Sequence, residues 1–295
     1  MASQVHQIDV SNPREILVDR ELSWLAFNQR VLELAEDKST PLLERCRFLA
    51  IFSSNLDDFY MIRVASLKNK LESGIAKANT AGFTPTELMK ELSIKTEELI
   101  SRKSKCFHED VHLKLSKEGI NIVRWDELNS KERELATDIF HKQIFPVLTP
   151  LAIDPSHPFP YISGLSLNLA VIVKNPETGV ELFARVKVPS NLARFVVTST
   201  SDDRRYIPLE QVITANIAEL FPGMEISNVY TFRITRNADL ELEEEESEDL
   251  LASMEQELLR RKFGPPVRLE VGSGMDDELL ETLKEELKIK DEDIS

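Results

Sequence analysis

The sequence predicts an all-helical N-terminal domain over residues 1–107, followed by an α+β domain over residues 108–295 with a mainly antiparallel sheet. Apolar residues in the first third of the chain recur at steps of three and four, which is the period of an α-helix. From residue 165 onward the apolar residues alternate instead, which is the period of a half-buried strand. A chain of 295 residues also has the length of roughly two domains.

The first helical stripe lies between Asp19 and Lys38. Its apolar residues are Trp24, Phe27, Val31 and Leu34, widened by Leu25, Leu32 and Ala35. Their spacing predicts a face that packs into the core. An aromatic platform for a ligand at Trp24 and Phe27 is the less favoured alternative, because the helical period already accounts for both rings.

Three further helices follow in this domain. Ser39-Thr40-Pro41 is typical of a helix start, with proline in the first turn. The polar segment Ser53-Ser54-Asn55 is predicted to interrupt that helix, so that a third one begins at Leu56. It would end at Ser73-Gly74, where glycine can adopt the positive φ of a C-terminal cap. A long helix is predicted from Thr84-Pro85 to about Lys117.

The second half begins with a helix over about 129–145 and a proline-rich segment, 146–164, which we expect to be an ordered extended loop. The alternating residues Leu165, Leu167, Leu169, Val171 and Val173 then predict a strand with one apolar side. The segment NPETG would turn the chain into a hairpin partner, LFARVKVP. Shorter strands are predicted at RFVVT, YIPL, NVYTFRITR and PVRLEV, with helices at QVITANIAELF and MDDELLETLKEELK.

Charge is distributed unevenly along the chain. The formal net charge is −15, and residues 1–107 contribute nothing to it, because their acidic and basic residues are equal in number. A nucleic-acid binder is therefore disfavoured, since contact with phosphates normally needs an excess of Lys and Arg. The acidic run 241–249 is predicted to be the solvated first turn of a helix, with a cation site as the alternative.

Targeting and redox features are few. No stretch of about 18 apolar residues is present, and the N-terminus lacks the apolar region of a signal peptide. We therefore expect a protein without transmembrane segments. The two cysteines, Cys46 and Cys106, have no metal-ligand spacing and are too few for a disulfide framework, which fits a reducing cytoplasm.

Histidines and phosphate-binding motifs give no catalytic site. His108 and His112 have the i, i+4 spacing of a metal pair, yet they lack the intervening Glu of HExxH and a third ligand, so we predict no metal there. His157 lies between prolines and is more simply a packed or exposed loop residue. Neither a GxxxxGK[ST] nor a GxGxxG segment occurs, so the sequence predicts no phosphate cradle.

Asn55 is the candidate binding residue, and two interpretations are open from its chemistry alone. Its amide carries both donors and an acceptor, which suits the edge of an adenine base. It could also cap a helix that begins at Leu56, and its chemistry alone favours this interpretation. The neighbouring Asp57 and Asp58 are explained by the helix dipole in a first turn and are not assigned a metal.

Basic side chains in the first domain form a second, weaker candidate. Their positions on successive helices suggest a strip that could contact a polyanion. The residues are Arg45, Arg47, Arg63, Lys68 and Lys70. The competing interpretation is that these side chains only solvate helix surfaces.

Long segments of the chain resemble polyphosphate kinases of the first family. RELSWLAFNQRVLELAEDKSTPLLERCRFLAIFSSNLDDFYMIRVA, at 20–65, is similar to the opening of that family. The strings PLAIDPSHPFPYISGLSLNLAV, FARVKVP, RITRNADLEL and PVRLEV are similar to its head domain. The resemblance runs in order from about residue 18 to about residue 290.

The resemblance implies a reversible transfer of the terminal phosphate of ATP to polyphosphate, through a phosphohistidine and with Mg²⁺. It places the catalytic histidines in two later domains that this chain does not match, so no catalytic or metal-binding residue is predicted here and the isolated chain is expected to be inactive. It matches Asn55 to a position that contacts adenine. It also implies a homodimer or higher homo-oligomer formed through the head domain, residues 108–295.

Two other functional hypotheses remain in addition to the hypothesis that the chain is a fragment of an enzyme. The chain could be a stand-alone acidic α+β interaction module without catalysis, in which the head domain docks a partner. It could also be a truncated product with no separate role.

Overall fold

The computed structural model describes residues 12–153, 159–198, 204–238 and 264–295. They form two compact units. Unit 1 consists of residues up to Val111 together with Asn237–Val267, and unit 2 consists of His112–Arg236 together with Arg268–Ser295. The predicted fold class, a helical N-terminal region followed by an α+β region with a mostly antiparallel sheet, is confirmed.

The described residues of unit 1 up to Val111 form helices. These are α1 (Pro13–Ile16), α2 (Arg20–Glu36), α3 (Leu42–Asp58), α4 (Ala65–Glu72) and α5 (Pro85–Cys106). The π-helical segment Phe59–Val64 joins α3 to α4, and a second one, Phe107–Val111, follows α5. Thr84 and Glu87 form a capping box at the start of α5, as a threonine–proline start leads one to expect.

The buried face of α2 differs from the predicted one. Its buried residues are Glu21, Leu25, Asn28, Leu32 and Ala35. Phe27 and Leu34, which the sequence pattern assigned to the core, are 47% and 45% exposed. The pattern failed because the residue that completes the buried stripe between Leu25 and Leu32 is an asparagine, which apolar counting overlooks.

The predicted break at Ser53-Ser54-Asn55 is also wrong, because α3 runs unbroken from Leu42 to Asp58. The Ser53 hydroxyl donates to the Leu49 carbonyl oxygen one turn back, at 3.0 Å, so it is satisfied inside the helix. The Asn55 side chain bonds to a neighbouring helix instead of the local backbone. Asn55 is therefore not a helix cap.

The described residues of unit 2 form two sheets. Its strands are β1 (Ile120–Ile122), β2 (Pro150–Ala152), β3 (Leu167–Lys174), β4 (Glu181–Lys187), β5 (Phe195–Val197), β6 (Arg204–Pro208), β7 (Glu225–Arg236) and β8 (Pro266–Val271). One sheet has the order β1-β6-β5 and the other β2-β4-β3-β7-β8. The pairs β2–β4, β4–β3 and β3–β7 are antiparallel, whereas β1 and β6 are parallel.

Helices cover the sheets of unit 2. They are α6 (His112–Lys117), α7 (Ser130–Ile139), α8 (Leu209–Ala215) and α9 (Asp277–Leu287). Leu169, Val171 and Val173 on one side of β3 belong to one hydrophobic core. Ala170 on the other side belongs to a second core that includes Leu283 of α9. The five-stranded sheet, to which β3 belongs, is thus apolar on both faces at this strand.

The predicted hairpin is confirmed, since β3 and β4 pair in register from Asn168–Lys187 to Lys174–Glu181. Two details of the chain that precedes this hairpin were predicted wrongly. Leu165 is not in the strand but in a turn, with a φ of 59° and 40% exposure. The proline-rich segment contains β2, which pairs with β4 at the edge of its sheet. Proline is tolerated at the first position of an edge strand, where no ladder donor is required.

Two sequence candidates lie outside the described residues, namely His157 and the acidic run 241–249 with the helix predicted after it. In the part of the chain that the structure describes, no helix is both long enough and apolar enough to cross a membrane.

Candidate functional site

Asn55 belongs to a short chain of amide hydrogen bonds between α2 and α3. The fully buried Asn28 donates its Nδ2 to the Phe52 carbonyl oxygen at 3.1 Å. Asn55 donates its Nδ2 to Asn28 Oδ1, also at 3.1 Å. A carbonyl oxygen only accepts, so Phe52 fixes which end of Asn28 faces it, and Asn28 in turn fixes the orientation of Asn55.

Most of the hydrogen-bonding capacity of the Asn55 amide is unused within the described residues. Asn55 is half-buried, and within the described residues its Oδ1 and its second Nδ2 proton make no hydrogen bond. A donor and an acceptor side by side can pair with an adenine edge, which presents the complementary groups. The geometry therefore gives Asn55 a positioned amide with free polar atoms.

An aromatic pair lies one helical turn from the amide pair. Trp24 precedes Asn28 by four residues and Phe59 follows Asn55 by four, so each aromatic residue is on the same helix face as its asparagine. The two rings are stacked, with centroids 4.8 Å apart and planes 20° from parallel. Phe59 is buried and Trp24 half-buried. The predicted packing role of Trp24 is met by this stack, whereas Phe27 lies exposed at the edge of the Trp24 ring, 6.4 Å away.

The predicted basic strip is wrong at Arg45, whose side chain is not on the surface. Arg45 is 1% exposed and donates to the Ala35 carbonyl oxygen and to Asp110, each at 2.6 Å. Arg47 is near Glu44, at 3.8 Å. Arg63 and Lys70 instead line a cavity. Sequence spacing could not separate a buried structural arginine from exposed ones.

That cavity, called the basic cavity below, has a volume of about 520 Å³. It lies between the start of α2, helix α4, the segment 73–84 and the start of α5. Four basic residues line it: Arg20, Arg63, Lys70 and Lys77. Sequence reasoning missed Arg20 and Lys77, because only the folded chain brings the loop after α4 to the start of α2.

The histidine pair is not arranged as a metal site. His112 Nε2 lies 3.1 Å from the Ile122 carbonyl oxygen, within unit 2. His108 packs against the ring of Phe107, with centroids 5.1 Å apart. Among the described residues, no group of three or more His, Cys, Asp or Glu could hold a metal ion.

Two family models match almost the whole chain. The polyphosphate kinase N-terminal domain matches residues 17–123, and the polyphosphate kinase middle domain matches residues 131–295. The chain therefore belongs to the polyphosphate kinase family. The matched regions are the N-terminal and middle domains of that family.

Individual relatives agree with this assignment. Polyphosphate kinase from Streptomyces coelicolor is 56% identical over 282 residues, covering 96% of this chain and 37% of the relative. Polyphosphate kinase from Mycobacterium ulcerans is 51% identical, with coverages of 96% and 39%. The crystal structure of polyphosphate kinase from Porphyromonas gingivalis superposes with a TM-score of 0.76 at 27% identity, covering 94% of this chain and 38% of that one. The chain thus spans less than two fifths of the length of these relatives.

Proposed function

We propose that this chain is the N-terminal and middle portion of an enzyme that reversibly transfers the terminal phosphate of ATP to polyphosphate. The observation that carries the proposal is the match of both family models in the expected order. The phosphohistidine and the second catalytic histidine would lie in the parts of the relatives that this chain does not cover. No observation on the described residues favours a stand-alone interaction module.

In this proposal unit 1 supplies an adenine contact through Asn55. The supporting observation is the Phe52–Asn28–Asn55 relay, which holds the amide in one orientation and leaves an acceptor and a donor for the base. An amide that is already oriented loses less conformational entropy on binding than a freely rotating one. Asn28 is then a positioning residue, since its own hydrogen bonds are made within the protein.

Replacing Asn55 by alanine in the complete enzyme should weaken the use of ATP more than the use of GTP. Guanine presents a different edge to the amide, so a base contact at Asn55 contributes to selectivity between the two nucleotides. One or two lost hydrogen bonds of about 1 kcal/mol each correspond to a loss of roughly five- to thirty-fold in kcat/KM for ATP. The measurement is the ratio of kcat/KM for ATP to that for GTP.

Ser53→Ala is the matched control, because Ser53 is on the same helix and its hydroxyl bonds, among the described residues, only to the Leu49 carbonyl oxygen. It should leave the nucleotide ratio unchanged. If Asn55→Ala lowered activity with ATP and GTP by the same factor, Asn55 would be a structural residue that supports Asn28 and not an adenine contact.

The metal and the cellular location also enter as proposals. Mg²⁺ would assist the phosphate transfer, but the described residues contain no cluster of ligands for it, so we place its ligands outside them. A cytoplasmic location is consistent with the two free cysteines, of which Cys106 is buried.

We further propose that the middle domain forms a homodimer. Strand β5 is at the edge of its sheet, and Phe195 and Val197 on it are 41% and 45% exposed. An edge strand with exposed apolar side chains is a surface that a second copy could bury.

The chain should therefore scatter light as a dimer at tens of micromolar, and Val197→Lys should shift it toward the monomer by placing a charge on the edge strand. Val180→Lys, in the turn between β3 and β4, is the control and should leave the molar mass unchanged. A monomer at high micromolar concentration would contradict self-association through this unit.

A further inference from the structure

The charges around the basic cavity do not balance. Besides the four basic residues, the cavity lining contains two acidic residues, Asp19 and Glu21. Asp19 Oδ1 accepts from the backbone N–H groups of Glu21 and Leu22 at the start of α2, at 2.8 and 3.1 Å. Its Oδ2 accepts from Asn79 at 2.7 Å. The Asp19 carboxylate is thus used within the protein.

Glu21 is shared between the two arginines. Its Oε1 accepts from Arg20 Nε at 2.6 Å, and its Oε2 lies 3.8 Å from Arg63 Nε. Lys70 and Lys77 are exposed, and neither forms an ion pair within the described part of the chain. The cavity lining therefore has an excess of two positive charges, carried by two lysines that no carboxylate of the described residues neutralises.

The floor of the cavity is apolar and its wall is held in place. Leu67, Ala81 and Leu88 line it and are each at most 5% exposed. The wall formed by segment 73–84 is closed by a bond from the backbone N–H of Asn79 to the Phe83 carbonyl oxygen, at 2.8 Å. Arg14 packs over the Phe83 ring, 4.4 Å from its centroid. The cavity wall is therefore held by contacts within the protein, and the cavity volume lies within the range of small-molecule sites.

We propose that the basic cavity binds an oligophosphate anion. Two lysines with mobile ammonium groups suit a chain of phosphates, because each ammonium can meet a different phosphate as a point charge. The apolar floor can also accommodate an organic group attached to that chain. The ligand could therefore be an inorganic oligophosphate or the phosphate tail of a nucleotide. Asn55 does not line this cavity, so the site goes beyond the proposed function and does not depend on it.

Calorimetric titration of residues 1–295 with inorganic tripolyphosphate and, separately, with ATP tests the proposal at low ionic strength. The double variant Lys70→Gln/Lys77→Gln should bind about tenfold more weakly, equivalent to about 1.4 kcal/mol. The matched control is Lys38→Gln/Lys90→Gln, which removes two exposed charges of unit 1 outside the cavity. It should retain the affinity of the unaltered chain, and circular dichroism should show both variants folded.

Comparing the two ligands shows whether the cavity recognises the phosphate chain alone or an oligophosphate that carries an organic group. Loss of affinity for tripolyphosphate and ATP alike identifies the phosphate chain as the recognised group, and loss confined to ATP identifies an oligophosphate that carries an organic group. Hydrogen exchange should slow within 66–88 when the ligand is added. Asn55→Ala should leave tripolyphosphate affinity unchanged, which separates this site from the adenine contact. The proposal is overturned if neither ligand binds, or if both double variants lose affinity equally.

Discussion

Purified residues 1–295 should form no polyphosphate from ATP and should acquire no acid-labile phosphate. The reason is that the chain covers only 37–39% of the Streptomyces coelicolor and Mycobacterium ulcerans relatives, and the family resemblance places the phosphohistidine beyond that portion. The expected effect is complete loss of transfer, in contrast to the partial losses expected from single substitutions. The measurement is incubation with [γ-³²P]ATP, followed by separation of polyphosphate and of labelled protein.

The complete enzyme, assayed in the same buffer, is the positive control. Acid-labile label on any of the five histidines of the isolated chain would contradict the expectation. His108, His112 and His141 would be tested first, since the structure describes them. His141 Nε2 lies 2.9 Å from Glu219 Oε2, a hydrogen bond between two exposed side chains.

Local sequence signals located most of the fold because they act within a few residues. The segment NPETG predicted the β3–β4 turn, where Asn175 Oδ1 accepts from the backbone N–H groups of Glu177 and Thr178 and Gly179 has a φ of 72°. Both features are determined by the chemistry of the turn residues themselves. The capping box at the start of α5 is local in the same sense.

The errors arose where a polar side chain finds its partner far along the chain. Asn28 is buried because it bonds to Phe52, 24 residues away, and its burial shifts the core face of α2. Asn55 is compatible with a continuous α3 because it bonds to Asn28, 27 residues away. Periodicity treats both asparagines as surface or turn residues, and no feature of the single sequence reveals the pairing.

The candidate site was predicted only in part for the same reason. The family resemblance identified Asn55 as a candidate. It did not identify the hydrogen bonds through Asn28 that orient the Asn55 amide. The predicted basic strip contained two residues of the basic cavity, Arg63 and Lys70, and one residue, Arg45, whose charge is buried. Separating these roles requires knowing which basic residues have an acidic partner within the fold.

Replacing Asp110 by alanine should destabilise unit 1 by about 3–5 kcal/mol, because it leaves the buried Arg45 guanidinium without a counter-charge. Burial disfavours the charge of Arg45, but Asp110 and Cys106 outweigh that effect and raise its pKa. Arg45 also donates to the Ala35 carbonyl oxygen at the end of α2, so its loss would loosen the packing of α2. The measurement is urea unfolding of each variant, followed by a probe in unit 1 such as Trp24 fluorescence.

Glu109→Ala is the matched control, since Glu109 is the adjacent carboxylate and pairs with Lys105 at 3.9 Å on the exposed surface. It should change the free energy of unfolding by less than about 1 kcal/mol. The double variant Arg45→Met/Asp110→Ala should recover part of the loss caused by Asp110→Ala, because it removes the unpaired buried charge while keeping most of the side-chain volume. Equal destabilisation by Asp110→Ala and Glu109→Ala would show that the Arg45–Asp110 pair contributes no more to unit 1 than a surface ion pair does.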